Sequence, residues 1–183
     1  MTNEHDFASV LRFWFERIKP AQWWSADPVF DQTVRDCFES IHLAANRGEL
    51  MAWRSRPEGR LAEVIVLDQF SRNMHRGTPL AFASDPVALV LAQEAVAGGH
   101  DLVLTPDQRV FYYLPFMHSE SSRVHETAVA LFERLGLQWN LDAELRHKAI
   151  IDRFGRYPHR NVILGRTSTK AELEFLREPG SAF

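Results

Sequence analysis

Apolar residues at Phe7, Val10, Leu11, Trp14, Phe15 and Ile18 recur every three or four positions, the spacing that lines one side of a helix. Asp6 stands where an N-cap carboxylate takes the first free amides, so the pattern predicts an amphipathic first helix. The same grammar repeats. In Asp27-Pro28-Val29 and Asp85-Pro86-Val87 a capping carboxylate precedes proline at the first helical position, where its fixed φ helps and its missing N–H costs nothing. Gly48 and Gly98-Gly99 supply the stops. Thr105-Pro106-Asp107-Gln108 adds a capping box, and Thr169-Lys170-Ala171-Glu172 is a second box opening the last helix. A helix from about Ser122 carries Val124, Ala128, Leu131 and Leu135 and stops at Gly136, and another runs from about Asp142 to Phe154 before Gly155. One strand-like run, Val64-Ile65-Val66-Leu67, stands alone; with Leu61, Phe70 and Met74 it reads as a helix buried round most of its circumference.

These elements predict an all-α fold of seven or eight helices, joined by short connections and packed as antiparallel hairpins. No linker, low-complexity tract or clear repeat divides the 183 residues, so residues 1–183 are expected to form a single all-helical domain. Trp14, Phe15, Val64, Ile65, Phe70, Leu131 and Phe154 are expected to be largely buried. With 45% apolar and 25% charged residues, a chain this long needs no disulfide or structural metal to hold its core. The one cysteine, Cys37, lies between Val34 and Phe38 and reads as a buried thiol. Residues 1–6 lack the basic and apolar regions of a signal peptide, and runs such as Val87 to Ala92 are too short to span a bilayer, so a cytoplasmic location is expected.

Three acid-poor stretches, 69–84, 108–119 and 153–171, mix polar groups with large apolar ones and carry the candidate chemistry. At the edge of the first, Asp68 and Arg72 are i,i+4 partners, as are Gln69 and Asn73, with Arg76 one turn on. This stripe reads either as a buried ion pair with an orienting amide or as a face turned to a ligand. The second stretch contains Arg109 and Tyr112, then Pro115, which should end or kink the helix just before His118-Ser119-Glu120. His118 and Glu120 are the candidate general acid and base, against a structural reading in which Glu120 caps the next helix. The third holds Arg153, Arg156, His159, Arg160 and Arg166, with Gly155 and Pro158 breaking any continuous helix. Its arginines suit an anion or, equally, the carboxylates Asp68, Glu120 and Asp152.

Metal ligation is not expected. No His-x-x-x-His pair occurs, and His118 and His125 on one helix would lie about 10.5 Å apart along its axis. No cofactor is expected either. A net charge of −3 with one cationic connector is too little for nucleic acid.

Four ordered motifs carry a family resemblance: Leu67-Asp68-Gln69-Phe70-x-Arg72-Asn73, Arg76-Gly77-Thr78-Pro79-x-Ala81-Phe82, Pro115-Phe116-Met117-His118-Ser119-Glu120, and Arg153-Phe154-Gly155-Arg156-Tyr157-Pro158-His159-Arg160-Asn161. With Phe13-Trp14-Phe15 and Trp23-Trp24, they resemble a bacterial family catalogued as a domain of unknown function within the TPR-like all-helical superfamily. The resemblance covers about Val10 to Leu176 and implies helical hairpins, with no established activity and no assigned catalytic residue. Position 71, usually proline in that motif, is Ser71 here, which relaxes the backbone constraint at that point.

Three readings of function follow. A binding module would use Asp68, Gln69, Arg72, Asn73, Arg76, Arg109, Tyr112, Arg153, Arg156, His159, Arg160 and Arg166, with Trp24 and His118, to hold an anionic small molecule or peptide carboxylate. A hydrolase or lyase-like enzyme would use His118 and Glu120 as acid and base. A structural or protein-interaction domain would use these groups as ion pairs. Convergence of the three stretches on one place separates the first two from the third.

Overall fold

The computed structural model describes residues 6–181, whose regular structure is entirely helical, with no strand among them. Eight helices follow in order. α1 covers 7–17, an α-helix Phe7–Arg12 that widens into a π-helical turn Phe13–Arg17; α2 is Pro28–Asn46; α3 covers 57–74, with a π-helical turn at Val66–Phe70; α4 is Asp85–Ala97. Then come α5 (Pro106–Met117), α6 (Ser122–Leu135), α7 (Gln138–Phe154) and α8 (Lys170–Phe175).

The caps explain the starts. Asp6 accepts from the Ala8 amide at 3.0 Å, Asp27 from Val29 at 2.9 Å, and the boxes at Thr105 and Thr169 both close. Gly136 and Gly155 end α6 and α7 with φ of 77° and 68°, a left-handed conformation costly for any residue with a Cβ. Near the start of α3, a Cβ on Gly59 would lie 2.1 Å from the Trp53 carbonyl oxygen, so glycine is what lets these backbones touch.

α3 is the central element: every residue from Leu61 to Ser71 is buried, and α1, α2, α4 and α5 all pack against it. Phe70 is fully enclosed, its ring centroid 4.9 Å from Phe38 and 5.5 Å from Trp14. The short turns 118–121 and 136–137 fold α5, α6 and α7 back on one another as antiparallel hairpins. A smaller apolar cluster, Ile150, Ile151 and Tyr157 with Phe154 and Phe175, lies under the connector between α7 and α8.

Several expectations are corrected. Cys37 is exposed although Val34 and Phe38 are buried, because periodicity fixes a residue's angle on a helix but not where its neighbours stop covering it. Phe15 and Phe154 are only partly buried. α7 begins at Gln138, one turn before Asp142, whereas α5 does end at Met117, just before His118 as Pro115 led one to expect, with the Pro115 ring inside its last turn. Asp85 is not a cap. Ser84 occupies the N-cap position, and the Asp85 carboxylate is drawn to two arginines. Segment 79–97 is apolar enough to cross a membrane by length and composition, yet its helix Asp85–Ala97 spans only about 20 Å and packs on α3 and α5.

Replacing Phe70 by Ala should lower stability by roughly 3–5 kcal/mol through lost burial and the cavity left behind. Chemical denaturation of the two proteins checks this, and an unchanged midpoint would contradict the packing of α3 described above.

Candidate functional site

Asp68 sits in the π-helical turn of α3 with 1% of its surface exposed. Its Oδ1 takes His118 Nδ1 at 2.8 Å and lies 3.2 Å from an Arg72 nitrogen, and its Oδ2 accepts from Gln69 at 2.6 Å. Burial works to raise this carboxyl, but the charges of Arg72 and His118 and the bonds from His118 and Gln69 prevail and hold it well below the usual carboxylate range. Arg72 then reaches forward, donating to both Asp85 oxygens at 2.8 and 3.0 Å. Asp85 in turn accepts from Arg160 at 3.3 Å. The Arg160 guanidinium lies 4.6 Å from the ring centroids of both Phe82 and Tyr157.

Arg160 is the unusual member. It is 6% exposed, and among the described residues the Asp85 contact is its one hydrogen bond and its buried Nε has no partner. Burial first, and then the charge of Arg72, disfavour its positive charge.

Glu120 borders the cluster and is held in place by Arg166, with oxygen contacts of 2.5 and 2.9 Å, and by the Tyr157 amide at 2.8 Å. Although burial pushes its carboxyl up, these bonds outweigh it and hold it below the ordinary value, so Glu120 is ionised at neutral pH. The turn bearing His118 is braced from behind by His125, whose Nδ1 meets Glu144 at 2.7 Å and whose Nε2 meets the Ser119 carbonyl at 2.9 Å. Tyr157 donates to the Met117 carbonyl, and its ring lies 5.8 Å from His147 and 5.6 Å from His159. Burial pushes His147 down to about 3 and His159 down to about 4. His118 is also lowered, by burial and by Arg72 against the pull of Asp68.

The structure thus brings together Asp68, Gln69, Arg72, His118, Glu120, His159, Arg160 and Arg166. It places the other candidates elsewhere. Asn73 and Arg76 both bind Asp31 and clamp α3 to α2. Arg109 donates to the Tyr113 hydroxyl, and Tyr112 to the Pro57 carbonyl. Arg153 stacks on Phe154 and Phe175, and Arg156 is locked to buried Glu172 at 2.6 and 2.8 Å. Trp24 lies in a separate aromatic concavity. Within the first stripe, Gln69 and Asn73 do not pair with each other, because each turns to a different acid. Sequence reasoning missed Asp85, Phe82 and Tyr157. The one available signal was that Asp85 is the only acid between positions 69 and 93. Among the described residues no three His, Cys, Asp or Glu side chains are grouped to hold a metal ion.

The depressed histidines give a pH dependence whose sign is fixed. Between the ordinary value near 6.5 and the folded values of about 3 and 4, the unfolded chain binds protons that folded His147 and His159 do not. Their stability contribution is therefore complete above pH 6.5 and is lost on acidification, by up to about 1.4 kcal/mol per pH unit for each group. Denaturation midpoints measured from pH 7 to pH 4 should fall, and His147→Asn should flatten the slope.

A solved structure of a protein of unknown function, ATU0120, from Agrobacterium tumefaciens is similar to this chain at 41% identity and a TM-score of 0.89, over 93% of this chain and 96% of that one. No curated protein matches the chain. The family model described as a bacterial protein of unknown function matches residues 10–180, and the chain belongs to that family, DUF924.

Proposed function

We propose that the chain is a ligand-binding module whose site is centred on Arg160 and takes the carboxylate or phosphate of a small molecule or peptide. The observation that carries this reading is the guanidinium itself. Enclosed between two aromatic rings with one long hydrogen bond at 3.3 Å, it keeps donor capacity that no other group among the described residues uses. A guanidinium withdrawn from water normally fills its planar fork with bidentate acceptors, as the partly buried Arg72, Arg156 and Arg166 do here.

Inorganic phosphate, succinate and a short peptide with a free C-terminus serve as probes. One of them should raise the thermal midpoint of the native protein, by the equivalent of about 2.7 kcal/mol at a hundredfold excess over its Kd, and less as salt is added. Arg160→Gln should remove the response. Arg156→Ala should instead lower the midpoint of the unliganded protein, by stranding Glu172, and keep the response. A wild-type protein indifferent to all three probes, or an Arg160→Gln protein that responds like wild type, overturns the proposal.

A hydrolase or lyase-like activity is favoured by one specific observation. With its proton on Nδ1 and donated to Asp68, His118 presents an Nε2 that makes no hydrogen bond to the described residues, while 15% of the side chain is exposed. In this reading His118 is the base, Asp68 orients it, and Glu120, ionised by Arg166, has no proton to give. Turnover of p-nitrophenyl acetate or phosphate that falls at least tenfold in both His118→Gln and Asp68→Asn would support catalysis. Turnover that is absent, or that stays at the wild-type rate in either variant, leaves binding alone.

A further inference from the structure

At the other end of α5 lies a concavity of about 120 Å³, walled by Trp23, Trp24, Phe111 and Trp139 with Asp107 and Asn140 at its border. Asp107 is in the first turn of α5 and His118 follows its last, about 16 Å away along the axis, so this is a different place from the arginine cluster. Its walls are unlike a core. Trp24 and Trp139 are 46% and 58% exposed, yet their ring centroids are 5.3 Å apart. Trp23 stands at 87° to Trp24 and 81° to Phe111, while Phe111 is nearly parallel to Trp24. Trp23 is fixed by the bond from its indole N–H to the Trp14 carbonyl at 2.8 Å, and Phe111 is buried.

Aromatic side chains from three segments, Trp23 and Trp24, Phe111, and Trp139, line this small volume, and aromatic rings attract cations. Among the described residues the single charged group on the lining is the Asp107 carboxylate, and no lysine, arginine or histidine borders it. Quadrupoles and carboxylate select for positive charge. An ammonium or guanidinium with N–H groups would seek hydrogen-bond acceptors, and among the described residues Asp107 and Asn140 are the only side chains on the lining that can accept. A cation without N–H donors loses least on leaving water for such walls. We propose that this concavity is a second ligand site, an aromatic cage for a quaternary ammonium head group.

Tetramethylammonium chloride and choline chloride are the probes, titrated into the full chain while the indole N–H resonances are followed by NMR. Neutral 3,3-dimethylbutan-1-ol, which matches choline in shape, is the control. Both cations should bind saturably and shift the same indole signals, with the neutral alcohol at least tenfold weaker. Trp24→Ala and Trp139→Ala, at exposed positions, should each weaken binding about threefold to thirtyfold, and Trp139→Phe should restore part of it. Asp107→Asn should weaken it further at low salt than at high salt. The response to anions at Arg160 should survive in Trp24→Ala, so the two sites fail independently. Equal binding of the neutral alcohol makes the concavity an apolar docking surface, and absence of saturable binding by either cation removes the site; both outcomes overturn the proposal.

Discussion

A carboxylate with 1% of its surface in water must find its neutralising partners inside the protein, and Asp68 takes them from its own helix and from the end of α5. Arg72 satisfies Asp68 and then Asp85, which brings the start of α4 to α3. Asp85 receives Arg160, and Phe82 and Tyr157 grip its plane, which brings in the connector after α7. One buried charge therefore organises a chain of alternating sign across four segments. The inner members are doubly held, Asp68 by Arg72, His118 and Gln69 and Asp85 by Arg72 and Arg160, so the charge most exposed to loss of one partner is Arg160, whose hydrogen bond among the described residues is to Asp85.

The backbone accommodates this charge through a local irregularity. Asp68 and Gln69 lie in the π-helical turn of α3, where the widened helix shifts the register of the following side chains. Ser71, at the position where the resembling motif carries proline, donates its hydroxyl to the Leu67 carbonyl at 2.6 Å and is met by His42 at 2.8 Å. The irregular turn is thus present without proline, held by side-chain bonds to the backbone and to α2. Behind the site, the fully buried His125 and Glu144 tie α6 to α7 and fix the corner that carries His118.

Packing and chemistry share the same residues here. Tyr157 fills the smaller apolar cluster, closes one side of Arg160, and bonds back to the end of α5. Glu120 fixes the connector through the Tyr157 amide and Arg166. These contacts keep the Arg160 guanidinium in a fixed plane between Phe82 and Tyr157.

Much of this fold was legible in the letters. Asp6, Asp27, Thr105 and Thr169 cap helices because a short polar side chain before an apolar periodic run has few other uses, and Gly136 and Gly155 end helices because αL geometry favours glycine. The continuous apolar run around Val64 to Leu67 indicated a helix enclosed on all sides. Which arginine meets which acid was not legible. Arg72 with Asp68 follows from i,i+4 spacing, but Arg166 with Glu120, Arg156 with Glu172 and Arg160 with Asp85 span 46, 16 and 75 positions. Side-chain type sets the kind of partner an ion needs, whereas its identity depends on how helices cross, and that is fixed by the summed packing of the whole core. Local propensity and capping therefore determined the helices from sequence alone, while the tertiary structure decided which cations were neutralised in pairs and left Arg160 with donor capacity to spare.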